Sequence, residues 1–378
     1  MTKDINKSEY TEETKLKLEL IQKCFREWFP VFLNTPFIER IVIYDMFAGS
    51  GTDSMGNYGS PLLLLEEAKG YNKQYCNLII TKNKPLVQFG FNEKLPKKAE
   101  LLKKHVDNTL LQCKQNCTFK RCAFEGAIEV KSYDFCEIQS NATVANILSN
   151  SKYAKFLLLD QYGFKHINDS VFLHLINYPK TDFIFFVASS AIKRFRELPA
   201  VTAYFNRYHI TFDESQPKEC HRVVTDYFRS LIPVEKEYYI HGFTIQKGSN
   251  YYGLIFGTGH SLGMEKFLKV CWEVDEMGGE SDCNINDDWG TDTLFYDPKS
   301  SNKTLEFSDK MKELILNATI QNNIDGLKYA LRYGCRPLLF VDVMKELIAE
   351  RKVRITDGKF NKTATNIHRA KRYTFEIV

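Results

Sequence analysis

The chain has 378 residues, 44% hydrophobic and 26% charged, which is ordinary for a globular protein and enough for one large α/β domain plus a smaller one. No stretch approaches the roughly 20 apolar residues of a membrane span, and residues 1–14 lack the apolar segment of a secretory signal, so we expect a cytoplasmic protein. A net charge of +4 is too small by itself to indicate nucleic acid, and ten cysteines without a signal are expected to be reduced thiols.

The first predicted element is an amphipathic helix over residues 11–33. Leu18, Ile21, Phe25 and Trp28 recur at helical spacing, which indicates one buried face. Pro30 is expected to break or kink this helix, because proline cannot donate a backbone hydrogen bond. We interpret the helix as a packing element that covers the start of a sheet.

Residues 41–51 predict a buried strand that ends at Asp45 and runs into a turn with two glycines. Asp45 would lie at the carboxyl end of its strand, where open α/β sheets bind ligands. Glycines let backbone N–H groups approach a ligand. Ser54 replaces the third glycine of a dinucleotide-binding loop, and Thr52 and Asp53 exclude a Gly-Lys-Ser/Thr phosphate loop. The unit instead resembles the first motif of S-adenosylmethionine-dependent methyltransferases. The alternative is a tight strand-to-helix turn without a ligand.

Two acids follow the next predicted strands. A strand over residues 86–92 ends at Glu93, which would bind ribose hydroxyls or merely begin a helix. A strand over residues 127–133 ends at Asp134, which would face the adenine of a nucleoside. Between Asp45 and Glu93 the spacing is long for a simple βαβ unit, so we expect an insertion. Ser60 and Pro61 predict a helix start that would help hold a ligand carboxylate.

A short strand over residues 156–159 leads into Asp160, Gln161 and Tyr162. Methyltransferases that modify nucleobase amino groups carry Asp/Asn-Pro-Pro-Tyr at this place. There the acid or amide holds the amino group and the aromatic ring stacks on the base. This sequence keeps Asp160 and Tyr162, but Gln161 stands where a proline would. The alternative is that Asp160 caps the following helix.

The remaining chain predicts a second half of the sheet and an appendage. We expect a strand over 182–188, with Arg194 in a basic turn that contacts phosphate or only solvent, then a helix over 218–231. An antiparallel pair over 238–246 and 251–257 and a helix over 262–274 follow. Cys113, Cys117 and Cys122 could ligate zinc, but no fourth ligand is adjacent, so free thiols are the default and no metal site is predicted.

Residues 276–303, rich in Gly, Asp, Asn and Ser, predict a linker. Helices over 308–321, 323–333 and 337–350, with strands over 353–356 and 373–377, are similar to a winged helix. Such modules bind duplexes or dock proteins. We therefore divide the chain into a Rossmann-like methyltransferase domain (1–275), the linker and a winged-helix-like domain (304–378). The candidate nucleic-acid contacts, alternatively a solvated face, are Arg351, Lys352, Arg354, Lys359, Lys362, Arg369, Lys371 and Arg372.

Taken together, these motifs resemble the three-Cys-motif partner protein family, a methyltransferase-like group. The matching segments within residues 16–275 are Asp45-Met-Phe-Ala-Gly-Ser-Gly51, Gly59-Ser-Pro-Leu62, Asn92-Glu93, Leu158-Leu-Asp-Gln-Tyr-Gly163, Tyr252-Gly-Leu-Ile-Phe-Gly-Thr-Gly-His260 and Gly263-Met264. The family usually has proline where Gln161 stands. The resemblance implies a Rossmann-like α/β fold and a protein partner that carries a three-cysteine motif.

The resemblance also implies a binding site for S-adenosylmethionine. The residues expected to hold this cofactor are Asp45, Phe47, Gly49, Ser50, Gly51, Glu93 and Asp134. We expect Asp160 and Tyr162 to serve methyl transfer, with a nucleobase amino group as the favoured acceptor. The alternative function is a non-catalytic partner subunit that binds nucleic acid or a radical-enzyme-like protein. A nuclease ranks last, because no Asp…Glu-x-Lys cluster falls on a credible strand pair.

Overall fold

The computed structural model describes residues 8–82, 85–117, 119, 121–160, 168–188, 197, 199, 202–203, 206, 217–288, 293, 297, 300–363 and 366–378. The strands are β1 (Arg40–Asp45), β2 (Leu86–Asn92), β3 (Ile128–Lys131), β4 (Tyr153–Leu159), β5 (Thr181–Ala188), β6 (Tyr239–Lys247), β7 (Asn250–Thr258), β8 (Val353–Asp357) and β9 (Thr374–Ile377). The described helices are α1 (Glu12–Leu33), α2 (Ser60–Lys69), α3 (Gln74–Lys82), α4 (Pro96–Gln115), α5 (Phe135–Gln139), α6 (Ala142–Ser149), α7 (Asp169–Asn177), α8 (Cys220–Ser230), α9 (Ser261–Val274), α10 (Asn302–Leu316), α11 (Asn323–Tyr333) and α12 (Pro337–Ala349).

Strands β1 to β7 form one sheet in the order β3-β2-β1-β4-β5-β7-β6. The pairs among β1 to β5 are parallel, whereas β7 runs antiparallel to both β5 and β6. This arrangement confirms the predicted Rossmann-like α/β fold with a reversed final strand pair. The chain moves outward from β1 to β3 and then returns to β4, so the strand order reverses between β1 and β4. Ligands of open α/β sheets bind at the carboxyl ends of the strands at such a switch point.

Helix α1 continues through Pro30 to Leu33, so the expected break at this proline is wrong. The residues on both sides of Pro30 are held by burial, since Phe25, Trp28, Phe29 and Leu33 all face the core. Trp28 Nε1 also donates to the buried Asp182 carboxylate at 2.6 Å. These contacts outweigh the single backbone hydrogen bond that proline removes.

One expected insertion is identified and two boundary predictions differ from the structure. The insertion between β1 and β2 is the extra helix α3, and β3 is shorter than predicted, because its residues alternate between half-buried and exposed at the sheet edge. Helix α10 begins at Asn302 and ends at Leu316, not over 308–321. Ser301 caps it, inside the stretch whose polar composition predicted a linker.

The described part of the expected linker is packed against β6. Ser281 forms a parallel bridge with Thr244, and Thr244 N–H donates to the Glu280 carbonyl at 2.7 Å. The buried Glu280 carboxylate lies 2.6 Å from Arg222 and 3.3 Å from Lys303. Burial alone would raise the pKa of Glu280, but these two cations hold it well below its usual range. The cluster of Arg222, Glu280 and Lys303 thereby fastens α8 and α10 to the segment that packs on β6.

The C-terminal helices α10, α11 and α12 share one apolar core with α1 and α9, and strands β8 and β9 pair beside them. Trp272 Nε1 donates to the Gly334 carbonyl at 3.1 Å. The element order matches the predicted one, and the identification as a winged helix and the domain boundaries stay predictions. No helix in the described ranges is long and apolar enough to span a bilayer.

Two stacked imidazoles join the C-terminal loop to the sheet. The rings of His260 and His368 lie 4.4 Å apart at an interplanar angle of 18°, and Ser261 Oγ is 3.2 Å from His368 Nε2. Beside them, Ile367 N–H donates to Glu265 at 2.9 Å. Burial lowers the pKa of both histidines, and the His260 charge lowers that of His368 further.

We predict that this contact weakens in acid. The folded pKa values lie below the usual histidine value of 6.5, so below that pH the unfolded chain binds more protons and stability falls. The variant His368→Gln should lose part of this acid sensitivity, and the exposed His174→Gln should keep it. Melting curves from about pH 8 to about pH 5 measure the effect. An equal fall of melting temperature on acidification in His368→Gln and in the wild type would contradict the prediction.

Candidate functional site

The carboxyl ends of β1, β2 and β4 meet around the turn that follows Asp45. Met46 N–H donates to the Leu158 carbonyl at 2.9 Å, and Ala48 N–H donates to the Asn92 carbonyl at 2.8 Å. The turn that begins at Asp45 is therefore bonded to the ends of both neighbouring strands. The backbone places the predicted acids Asp45, Glu93 and Asp160 at the same end of the sheet, and we call the region between these strand ends the crevice.

Asp45 is fully buried and faces inward. Its carboxylate accepts a 2.6 Å hydrogen bond from Ser60 Oγ and a 3.1 Å bond from Phe47 N–H. Ser60 is the first residue of α2, so this bond ties that helix to the end of β1. Burial raises the pKa of Asp45 to about 7, and the two hydrogen bonds oppose the rise while the nearby Asp160 charge adds to it. Asp45 therefore holds the turn from beneath.

The two glycines of the turn adopt left-handed backbone conformations, with φ of 63° at Gly49 and 87° at Gly51. A Cβ on Gly51 would lie 2.9 Å from Leu102 Cδ1 of α4. His105 Nδ1 lies 2.7 Å from the Ser50 carbonyl and donates to it. The positive φ favours glycine at position 51, and an added Cβ there would also press on the end of the Leu102 side chain of α4.

Glu93 reaches across from the end of β2 to the turn. Its carboxylate accepts a 3.1 Å hydrogen bond from Gly49 N–H and a 2.8 Å bond from Leu95 N–H. A carboxylate offers about four acceptor positions, so two bonds leave capacity for a ligand hydroxyl. The side chain is half-buried, and it can meet a ligand that lies on the glycine turn.

Asn92 is a positioning residue that the sequence analysis missed. Its buried side chain donates to the carbonyls of Met46 and Tyr133, at 3.2 and 3.1 Å, and accepts from Tyr133 N–H at 3.0 Å. The amide therefore joins the segments after β1 and β3 across β2. The signal available in the sequence was the position of Asn92, an amide directly before Glu93 at the end of a predicted strand.

Phe47 and Asp134 lie on the β3 side of the turn. The ring of Phe47 packs against Phe135 with centroids 5.2 Å apart. Asp134 accepts from Cys136 N–H at 2.9 Å as the cap of α5, and it pairs with Lys94 at 2.6 Å. The Lys94 hydrogen bond lowers the pKa of Asp134 to about 2. These contacts give Asp134 a capping role, and its predicted adenine contact stays a prediction.

Asp160, at the end of β4, is paired with a residue that the sequence analysis did not select. Lys17 Nζ of α1 lies 2.5 Å from Asp160 Oδ2, and it also lies 4.8 Å from the centre of the Phe186 ring. The helix interpreted only as packing therefore contributes a charged group to the crevice. Tyr162 and Arg194 lie outside the described residues.

The N-terminal segment also shapes the loop after the glycine turn. Asp53 accepts hydrogen bonds from the backbone N–H groups of Tyr10, Met55 and Asn57, each at 2.9 Å. A Cβ on Gly59 would lie 3.0 Å from Tyr10 Oη. Tyr10 thus packs against the loop that follows the glycine turn.

The predicted nucleic-acid contacts are exposed on the C-terminal region. Among the described residues, Arg354 pairs with Glu376 and Lys352 pairs with Glu350. The other basic residues of the set form no ion pair in the ranges that the structure describes; these are Arg351, Lys359, Lys362, Arg369, Lys371 and Arg372.

This basic surface lies near the amino ends of the parallel strands, whereas the glycine turn lies at their carboxyl ends. Strand β7 is antiparallel, so its end at Thr258 lies beside the starts of β5 and β6. His260 follows that end and stacks on His368, which immediately precedes Arg369. The glycine turn and this surface are therefore separated by about the length of a strand. A strand of seven residues, such as β4, is about 20 Å long at about 3.3 Å per residue.

No metal centre is found among the residues that the structure describes. No three His, Cys, Asp or Glu side chains there are grouped to hold an ion. Cys113, Cys117 and Cys122 are free thiols, as are the other cysteines whose side chains are described.

No protein-family model and no curated protein matches this sequence. Several solved methyltransferase structures match it distantly. Trm1 from Pyrococcus horikoshii with S-adenosyl-L-methionine is 11% identical, with 72% of this chain and 62% of that chain covered and a TM-score of 0.35. A putative O-methyltransferase from Klebsiella pneumoniae is 10% identical, with 66% and 90% covered and a TM-score of 0.32. M. jannaschii TYW2 in complex with AdoMet is 9% identical, with 66% and 76% covered and a TM-score of 0.29. Scores this low assign neither an activity nor a ligand to this chain.

We predict that Asp45→Asn changes the pH dependence of stability. The pKa of about 7 in the folded chain exceeds the usual aspartate value of 3.8, so the folded state binds more protons between these values and stability falls as pH rises. The amide cannot ionise, so from about pH 5 to about pH 8 the variant should gain on the order of 2 kcal/mol relative to the wild type. Urea titrations at both pH values measure this gain. Asp309→Asn, at an exposed acid, is the matched control, and an equal gain in both variants would refute the prediction.

A second prediction concerns the contact between Gly51 and α4. Gly51→Ala should destabilise the fold by about 2–3 kcal/mol, because it combines backbone strain with overlap on Leu102. Gly56→Ala is the control in the same loop, since Gly56 has a similar φ of 84° but no atom within 4 Å of its added Cβ. The control should lose only about 1 kcal/mol. Equal losses in chemical denaturation would show that α4 does not constrain the turn.

Proposed function

We propose that this protein transfers a methyl group from S-adenosylmethionine to a nitrogen acceptor held at Asp160. The observation that supports the proposal is the convergence of a left-handed glycine turn and the acids at the ends of β1, β2 and β4. Neighbouring strand ends at a switch point form the usual ligand crevice of this fold class. The set of groups suits a nucleoside with a charged amino-acid tail, because it combines the backbone of a glycine turn, carboxylates and an aromatic ring.

Each residue has a distinct role in this proposal. Gly49, Ser50 and Gly51 would present their backbone to the cofactor, and Glu93 would bind its ribose hydroxyls. Phe47 and Asp134 would border the adenine. Asp45 would act indirectly, because its hydrogen bond to Ser60 fixes the start of α2, where no side chain caps the helix. The uncapped N–H groups and partial positive charge there suit the cofactor's carboxylate.

The cofactor supplies a methyl group on a sulfonium centre, and the protein supplies alignment. Asp160 would accept a hydrogen bond from the acceptor nitrogen and take its proton, and Tyr162 would pack beside the acceptor. Positioning of two reactants is worth several powers of ten in rate. The site needs no metal for this role.

Nucleic acid is the class of binding partner that the exposed basic surface favours. Because that surface and the glycine turn lie at opposite ends of the strands, one bound nucleotide cannot contact both. A nucleic acid that uses both would have to wrap about 20 Å of protein, the length of a strand. A partner with a three-cysteine motif stays a prediction from the sequence resemblance.

The decisive assay uses radiolabelled S-adenosylmethionine and total DNA, RNA and protein fractions. The wild type should incorporate label into one fraction. Asp160→Asn should lose about two or more powers of ten in rate while still binding the cofactor. Asp107→Asn, an exposed acid on α4, should behave as the wild type. Cofactor binding without incorporation into any fraction would favour the non-catalytic partner instead.

We predict that Glu93→Gln weakens cofactor binding about tenfold, which corresponds to about 1.4 kcal/mol. The amide retains an oxygen for Gly49 N–H but loses the charge that strengthens bonds to ribose hydroxyls. Calorimetric titration with S-adenosylhomocysteine measures the affinity. The exposed Glu100→Gln should leave it unchanged, and an unchanged affinity in Glu93→Gln would remove this residue from the site.

The basic surface yields a separate prediction. Lys359→Glu combined with Arg372→Glu should weaken binding to RNA or duplex DNA and make the dependence of affinity on salt less steep, because fewer phosphate counterions are released. Lys104→Glu, an exposed lysine on α4, is the control. Fluorescence anisotropy at several salt concentrations measures both quantities. Equal affinities for the wild type, the double variant and Lys104→Glu would show that these basic residues form only a solvated face.

A further inference from the structure

We infer that Asp160 and Phe186 form a subsite for an alkylammonium group, and that the methyl acceptor is therefore a basic alkyl amine such as a lysine side chain. The inference rests on the proposed function and narrows its acceptor. In this structure the chain's own Lys17 fills the subsite, and the acceptor would replace it.

The subsite combines the two groups that recognise an alkylammonium ion. Asp160 Oδ2 lies 2.5 Å from Lys17 Nζ, and the face of the Phe186 ring lies 4.8 Å from the same nitrogen. A carboxylate supplies the charge-assisted hydrogen bond, and an aromatic face attracts a cation through its quadrupole. The side chains of Lys17 and Asp160 are only 18% and 25% exposed, so this pair is more shielded than a surface ion pair.

The position of the subsite connects it with the proposed reaction. Asp160 follows β4 and Phe186 lies near the end of β5, so both stand at the carboxyl edge of the sheet. The charge of Asp160 raises the pKa of Asp45, and that of Lys17 lowers it, which places the ion pair close to the end of β1. The Lys17 amine thus occupies the part of the crevice assigned to the acceptor nitrogen.

Charge balance favours a cationic acceptor over a nucleobase. Exocyclic amino groups of bases are neutral, so a base that displaced Lys17 would not replace the ammonium group that is paired with the partly shielded Asp160. Leaving one partner of a shielded ion pair alone is costly. An alkylammonium ion would restore both the hydrogen bond and the ring contact.

Lys17 can leave without movement of its helix. Helix α1 is anchored by the bond from Trp28 to Asp182 and by the bonds from Gln22 and Arg26 to Glu67. The lysine side chain, in contrast, is a flexible four-carbon stem with a single charged end. Exchange therefore requires rotation of one side chain about a fixed backbone.

The proton balance of the reaction also fits Asp160. An ammonium nitrogen has no lone pair, so the bound acceptor must first give one proton to Asp160, which passes it to water. The neutral nitrogen then forms a bond to the methyl carbon as the bond from that carbon to sulfur breaks. The products are a methylated amine and a neutral thioether, with one proton released.

The first test is chemical complementation of Lys17→Ala with propylammonium chloride. The added ion should raise the melting temperature of the variant saturably by a few degrees, whereas 1-propanol and sodium chloride at equal concentrations should not. The wild type, whose subsite is filled, and the double variant Lys17→Ala with Asp160→Asn should show no such rise. If Lys17→Ala does not fold, Lys17→Met keeps the stem and serves instead. A rise no larger than that with the controls would overturn the inference.

The second test compares acceptors with the wild type and labelled S-adenosylmethionine. Nα-acetyl-lysine amide should accept label at least tenfold faster than an adenine-containing oligonucleotide. Transfer to the base and not to the lysine would overturn this inference and leave the proposed function intact. Failure to bind the cofactor would instead overturn the proposed function, and the complementation test would still report on the subsite.

Discussion

The hydrogen bond from Ser60 to the buried Asp45 is the interaction on which the crevice depends. It joins the end of the central strand β1 to the first residue of α2 at 2.6 Å, across fourteen intervening residues that include the glycine turn. Because both ends of this segment are fixed, the turn has little freedom to collapse toward the sheet. Asn92 fastens it from the β2 side, and α4 presses on Gly51. A ligand would therefore meet a preformed backbone surface.

The three acids around this surface lie on both sides of the glycine turn. Asp45 lies beneath the turn with a raised pKa, because burial disfavours its charged form. Glu93 and Asp160 lie above it at half-buried positions, each already engaged by a donor of the protein, Gly49 N–H in one case and Lys17 in the other. Both contacts can be exchanged for ligand contacts, because neither acid is bonded to the full capacity of a carboxylate.

Much of the fold followed from local patterns, whereas the site followed only in part. The apolar runs of β1, β2 and β5 predicted strands close to those observed, because continuous burial leaves a strong local pattern. Asp45, Glu93 and Asp160 were selected because acids at strand ends converge in this fold class, and the structure places all three at the carboxyl ends of neighbouring strands. Lys17 and Asn92 were missed, since their roles come from contacts 143 and 46 residues distant along the chain. The start of α10 was missed because Ser301, its cap, resembles a linker residue. The resemblance of the sequence motifs to methyltransferases also could not show that the basic surface and the glycine turn lie at opposite ends of the strands, because that placement depends on how the C-terminal region packs on the sheet.

The account is tested most directly by calorimetric titration of the full chain with S-adenosylhomocysteine, monitored in parallel by hydrogen exchange of residues 46–60. We predict saturable binding with one site per chain and slower exchange at Gly49 and Gly51, together with loss of binding in Gly51→Ala. Absence of binding at millimolar nucleoside, or binding that leaves exchange in this turn unchanged, would contradict the central claim that the glycine turn is the cofactor site.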